Sequence, residues 1–231
     1  PQVVTAKASL LLCLLLTDAS AFAAEVDAIT TKEQFGSFAQ DYYLDPRPEL
    51  VESAMRFAGG SDLVKQPNTA RLVQMSFSCI FARHPERREA WKKAIATLDE
   101  TSRAYFSRSM DHTPQQLLDA LPVSPEKNDV NWSCFFVSGD ARYARNVVGE
   151  MKYLPERKDM QKFLAATSAQ WSLASISMGH DRVREVLEAA AKGDDAVVAA
   201  GARDALSRPV AELRQSAIQT LRQQRDAGIW K

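Results

Sequence analysis

The chain has 231 residues, 45% of them hydrophobic and 25% charged, a composition that suits one globular domain or at most two small ones. Basic and acidic residues balance at 29 each, so no net field draws the chain to nucleic acid or to anionic lipid. Only 9 glycines, in a chain rich in alanine and leucine, favour helix over sheet.

The first residues differ from the rest. Lys7 precedes the apolar run ASLLLCLLL (Ala8 to Leu16), and TDASAFA follows with small residues at Ala21 and Ala23. A positive residue, an apolar core and an A-x-A site form the layout of a secretory signal, with cleavage expected after Ala23. The run is shorter than the roughly 20 apolar residues a bilayer span needs. Leu10, Leu11 and Leu12 precede Cys13, so a lipid-anchor signal is not expected. A chain that starts at Pro1 rather than Met reads as trimmed or partial. The expected organisation is a signal peptide over 1–23 and a single α-helical domain over 24–231. The expected location is the periplasm or the exterior, with no stable membrane anchor.

In chain order, TKEQ at Thr31 forms a capping box for a first helix. Pro48 suits the first turn of a second helix, with Leu50, Val51, Ala54, Phe57 and Ala58 at helical spacing and Gly59-Gly60 as its stop. Pro67 opens a helix apolar on nearly every side (Leu72, Val73, Met75, Phe77, Cys79, Ile80, Phe81), which places it centrally. His84-Pro85 breaks it, and a helix resumes with Trp91, Ala94, Ile95 and Leu98 on one face. A short helix over RAYFSRSM follows, then one capped by Thr113-Pro114. PVSPEKND, Pro122 to Asp129, reads as a surface loop. Gly193 to Asp195 stops one helix and caps the next, and Pro209 opens the last, with Val210, Leu213, Ala217 and Leu221 as a stripe. No segment alternates long enough to be a half-buried strand.

Three stretches look like copies of one unit. They are SFSCIFARHPERREAWKKAI from Ser76, NWSCFFVSGDARYARNVV from Asn131 and QWSLASISMGHDRVREVLEAA from Gln170. Each has an apolar helix, a break at His84-Pro85, Gly139-Asp140 or Gly179-His180-Asp181, and then a charged amphipathic helix. Gly139 and Gly179 suit the left-handed conformation that ends a helix, and Asp140 and Asp181 suit capping of the next. Such helical hairpins must stack to bury their apolar faces. The expected fold is therefore all-α, an irregular, HEAT-like or solenoid-like stack of antiparallel helical hairpins with about ten helices.

YYLDPRPEL from Tyr42, WSCFFVSGDARY from Trp132 and WSLAS from Trp171 carry a resemblance. They are similar to signatures of a group of uncharacterised bacterial exported α-helical proteins. The resemblance spans most of the mature chain. It implies a bacterial source and an envelope or external location, and no catalytic residue, cofactor or ligand.

Three histidines, His84, His112 and His180, lack the spacing of a helical zinc site, and no HExxH motif occurs. No nucleophile elbow, Walker loop or dinucleotide-binding glycine motif occurs either. No catalytic, cofactor-binding or metal residue is expected. Trp132 and Trp171 hold matching places in two copies and read either as core or, with Tyr42 and Tyr43, as the lining of a groove. Cys79 and Cys134 also match and are a candidate disulfide pair, provided their helices cross more closely than the usual 8–10 Å. The expected function is a non-catalytic one, binding an unidentified protein, peptide or glycan through the stacked surface. The alternatives are an envelope hydrolase whose carboxylates, such as Glu49, Glu52 and Asp62, converge only on folding, and a structural protein oligomerising through Ala211 to Ile229.

Overall fold

The structure, a computed structural model, describes residues 27–230. The expected signal peptide and Cys13 lie outside them. Among the described residues the protein is all-α, with twelve α-helices, three short 3-10 turns and no β-strand. Twelve helices exceed the expected ten because short pieces are stable when capped. The six-residue helix Pro114–Asp119, for instance, has a complete capping box between Thr113 and Gln116. Among the described residues no helix is long and apolar enough to cross a membrane. Packing divides the chain into two compact units, the first running to Ala120 and including Phe136–Gly139, the second comprising Leu121–Phe135 and the chain from Asp140 onward.

In the first unit, α1 (Lys32–Asp41) begins at the Thr31 capping box read from the sequence. After a 3-10 turn at Pro48–Leu50 come α2 (Val51–Gly60), α3 (Pro67–Arg83), α4 (Arg88–Ala96), α5 (Glu100–Asp111) and α6 (Pro114–Asp119). The all-round apolar α3 packs against α5 and α6. Phe77 sits at its centre, with its ring 4.9 Å from that of Phe106, 5.8 Å from Phe81 and 6.4 Å from Phe35. The Tyr105 hydroxyl donates to the Ala70 carbonyl and ties α5 to the start of α3.

Gly59 and Gly60 close α2 without the left-handed geometry expected of a glycine stop; among the described residues only Gly139 and Gly228 are glycines with positive φ. Gly59 serves close approach instead. A Cβ there would lie 2.9 Å from Ser102 Cβ on α5 and closer still to its hydroxyl. Gly59→Ala is expected to destabilise the protein by about 1–3 kcal/mol through overpacking, read as a lower urea midpoint with unchanged m-value. Gly60→Ala, where a Cβ meets nothing within 4 Å, is the matched control and should be neutral or slightly stabilising.

In the second unit, α7 (Pro125–Ser138) contributes its residues up to Phe135. It is followed by α8 (Ala141–Glu150), a 3-10 turn at Met151–Tyr153, α9 (Met160–Ile176), α10 (Asp181–Ala190), α11 (Ala196–Ser207) and α12 (Val210–Asp226). The expected loop over Pro122–Asp129 is shorter than read, because α7 starts at Pro125. The Ser124 hydroxyl accepts the Lys127 N–H at 3.2 Å, and proline fits the first turn. Helix α9 is central and packs against α8, α11 and α12. Its buried surface is mostly Ala, Ser and Thr, which lets neighbouring backbones approach.

The breaks in the second and third repeats use different chemistry. Gly139 is left-handed (φ 65°) and Asp140 caps α8 by accepting the Arg142 N–H at 2.8 Å, as expected. Gly179 is not left-handed, and Asp181 is the first residue of α10 rather than its cap. His180 holds the cap position, with no side-chain hydrogen bond. The two extra residues of this copy explain the difference. They extend the exit from α9 as overlapping turns, with Met178 N–H to Ser175 O, and Gly179 and His180 N–H to Ile176 O, so no left-handed residue is needed.

Candidate functional site

The residues read as a groove lining do not share one fate. Tyr42 is 1% exposed and Trp132 fully buried, so neither lines an open groove; both are core. Trp132 donates from Nε1 to Ser172 Oγ at 3.0 Å, within the second unit. Tyr43 and Trp171 are partly exposed. The Arg214 guanidinium of α12 lies 4.2 Å from the centroid of the Trp171 indole on α9, a close cation–π stack. Cys79 on α3 and Cys134 on α7 are both buried.

The densest polar constellation in the first unit lies at the break after α3. Tyr42 Oη is 3.0 Å from His84 Nε2, and His84 Nδ1 is 3.2 Å from Glu86 Oε1. The His84 ring stands edge-on to Tyr42 and to Trp91, with centroids 6.0 and 5.9 Å apart. Burial holds the Tyr42 phenol above its usual range, so the phenol stays protonated and donates to Nε2. That places the imidazole proton on Nδ1, facing Glu86. The Glu86 carboxyl is held below its usual range by a backbone N–H and by the His84 contact. The chain of donors is complete, and its inner end is closed to solvent by the burial of Tyr42. It ties the segment after α1 to the α3–α4 break. Tyr42→Phe is expected to cost about 1 kcal/mol, the net worth of one hydrogen bond, measurable by urea unfolding.

The same corner caps the end of α7. Within the first unit, Tyr43 N–H donates to Phe136 O at 3.1 Å, and Arg83 Nη1 donates to Val137 O at 2.9 Å. A guanidinium at a helix C-terminus satisfies orphan carbonyls and opposes their negative potential.

The other polar groups considered from sequence stay apart. His112 Nδ1 lies 3.0 Å from Arg108 O on its own helix, whereas Asp111 faces Arg88 at 3.8 Å. Glu52 pairs with Arg56 at 3.3 Å on the surface. Asp62 lies beyond the other end of α2, about 15 Å along the helix, and Glu49 is exposed on the 3-10 turn before it. Among the described residues no three His, Cys, Asp or Glu side chains gather as a metal site.

Sequence reasoning missed two features. Burial, with a smaller contribution from the Glu126 carboxylate, pushes Asp129 up to about 7; its place in an apparent loop hid this. The segment from Met151 to Phe163 places Lys152 Nζ 5.0 Å and Lys162 Nζ 5.6 Å from the centroid of the Tyr153 ring. The spacing of aromatic and lysines in MKYLPERKDMQKF was the available signal. No protein-family model, curated protein or solved structure matches the chain.

Proposed function

We propose that the mature chain is an exported, non-catalytic protein, an irregular HEAT-like stack of antiparallel helical hairpins. It binds a protein, peptide or glycan partner in the periplasm or outside the cell. The observation that carries this reading is the Trp171–Arg214 stack. Elsewhere on α9 the side chains are largely buried, yet this indole stays partly exposed under a guanidinium. Tryptophan and arginine are the residue types that dominate binding hot spots. Most of the other polar groups that chemistry would need are engaged internally. Trp132 bonds to Ser172, Gln170 to the Gly201 carbonyl, and Tyr42 to His84.

Affinity capture from an envelope extract tests the reading, with the full chain and Trp171→Ala as parallel baits. The expected result is one species retained by the parent and reduced about tenfold or more by the variant. Retention of nothing, or equal retention by both, counts against it. Export has its own measurement: the N-terminus of the protein recovered outside the cytoplasm should be Ala24, and an uncleaved cytoplasmic chain would refute it. In that oxidising setting Cys79 and Cys134 are proposed to bond to each other. Thiol titration of the denatured mature protein should then find none, and two reactive thiols would rule the bond out.

A further inference from the structure

The segment between α8 and the first turn of α9 separates its charges by direction. Its acidic groups are turned toward the chain. Glu156 Oε1 accepts the backbone N–H groups of Arg157, Lys158 and Asp159 at 2.8, 2.7 and 3.3 Å. Asp159 caps α9, accepting the N–H groups of Gln161 and Lys162. Glu150 is half-buried, and its Oε2 is shut away from solvent without a partner. These carboxylates do structural work at short range, so little of their charge offsets the lysines on the outside.

The basic groups do the reverse. Lys152 and Lys158 are exposed and form no ion pair among the described residues, and Lys162 shares only a 3.4 Å contact with the capping Asp159. Lys152 and Lys162 converge on the Tyr153 ring. Two ammonium groups gathered on one aromatic repel each other, and that repulsion is relieved when an anion sits between them. The Tyr153 hydroxyl makes no hydrogen bond among the described residues, and it can donate one to the same anion.

We propose that Lys152, Tyr153, Lys158 and Lys162 form a docking face for an acidic peptide segment of a partner protein, with side-chain carboxylates as the recognised groups. The cations are lysines, which act as point charges. The one guanidinium in the segment, Arg157, which would suit a phosphate bidentately, is engaged with the Leu154 and Glu156 carbonyls and lies over Phe163. The Tyr153 ring is already occupied by two ammonium groups, which competes with the stacking a sugar would use. The chain is neutral overall, so the attraction is local and steers a short acidic segment rather than a long polyanion. This face is separate from the Trp171 stack, and only its biological setting rests on the partner-binding reading.

Fluorescence anisotropy of a labelled hexaglutamate peptide with the full chain tests it. The parent is expected to bind at low salt, and binding should weaken as ionic strength rises from about 0.01 to 0.15 M, where the Debye length falls from about 30 to 8 Å. The double variant Lys152→Gln/Lys162→Gln should bind about tenfold more weakly, and Tyr153→Phe about threefold. Lys152→Arg/Lys162→Arg should retain binding, which guards against a folding artefact. Lys65→Gln/Lys93→Gln, in the first unit, should bind like the parent, and so should Trp171→Ala, which separates failure here from failure of the capture experiment. The proposal is overturned if no binding occurs at low salt, if the Gln pair binds like the parent, or if the control pair loses as much. Equal binding of polyphosphate or oligouronate would overturn the assignment to acidic peptide.

Discussion

Trp132→Ala is expected to destabilise the protein by about 3–5 kcal/mol, the range for removing a fully buried large aromatic. The side chain has no exposed surface, and three consequences follow from its loss. Its apolar area leaves a cavity against α9, whose small buried residues cannot reach in to fill it. The edge-to-face contact with Phe135, at 5.9 Å, disappears. Phe135 in turn stands edge-on to His180 at 5.7 Å, so the loosening extends to the turn before α10. The Ser172 hydroxyl also loses the indole N–H, although it keeps its own bond to the Ala169 carbonyl at 3.1 Å. Against a typical stability of about 5–15 kcal/mol, such a loss lowers the melting temperature by roughly 10 °C. Trp132→Phe keeps most of the volume and should lose about 1–2 kcal/mol. Thermal and urea unfolding read both. The comparison with Trp171→Ala is the informative one: the matching residue of the next repeat is partly exposed, so its loss should change stability by about 1 kcal/mol or less. If the two alanine variants proved equally destabilised, the assignment of one indole to the core and the other to the surface would fail.

That pair of tryptophans also marks what the sequence could and could not reveal. Helix starts were legible wherever a local signal fixes them. Thr31 and Thr113 with their glutamines, Asp140 and Asp195 all cap the helices expected of them, because a cap is a contact between residues two or three apart. The central place of α3 was legible because it is apolar all round. Residue phase within a buried helix was not. Trp132 and Trp171 follow the same motif, but α9 is covered on most sides by small residues, and its pattern does not say which side lacks a neighbour. Only the position of α12, with Arg214 over the indole, decides that. Gly59 read as a stop because glycine has two uses and sequence does not separate them; the nearness of Ser102 on α5 does. Tyr42 was taken for a surface aromatic since its partner, His84, stands 42 residues away. The inward turn of Glu150, Glu156 and Asp159 is likewise a matter of geometry, and composition alone makes that segment nearly neutral.

Asp129→Asn is expected to stabilise the protein at pH 8 and to leave it unchanged at pH 4. The side chain lies in the first turns of α7, where the helix dipole favours an anion, but burial dominates and, with the Glu126 carboxylate, raises its pKa from 3.8 to about 7. An acid whose folded value exceeds its unfolded value binds its proton more tightly in the native state. Below about pH 4 both states are protonated, and the group has no effect. Between about 4 and 7 the unfolded chain releases the proton while the folded chain keeps it, so stability falls as pH rises; above about 7 the loss is complete. At about 1.4 kcal/mol per pH unit, an interval of about three units sets a ceiling near 4 kcal/mol. The carboxyl is partly exposed, and solvent screening brings the expected gain down to about 1–2 kcal/mol. Asparagine keeps the shape and removes the charge, so its stability should be flatter than the parent's across this window. Glu126→Gln removes only the smaller cause and should recover a minor part of the gain. Urea unfolding at pH 4, 6 and 8 measures all three proteins. Parallel pH profiles for parent and Asp129→Asn would mean that the Asp129 carboxylate is well solvated or paired in the native state, contrary to its burial here.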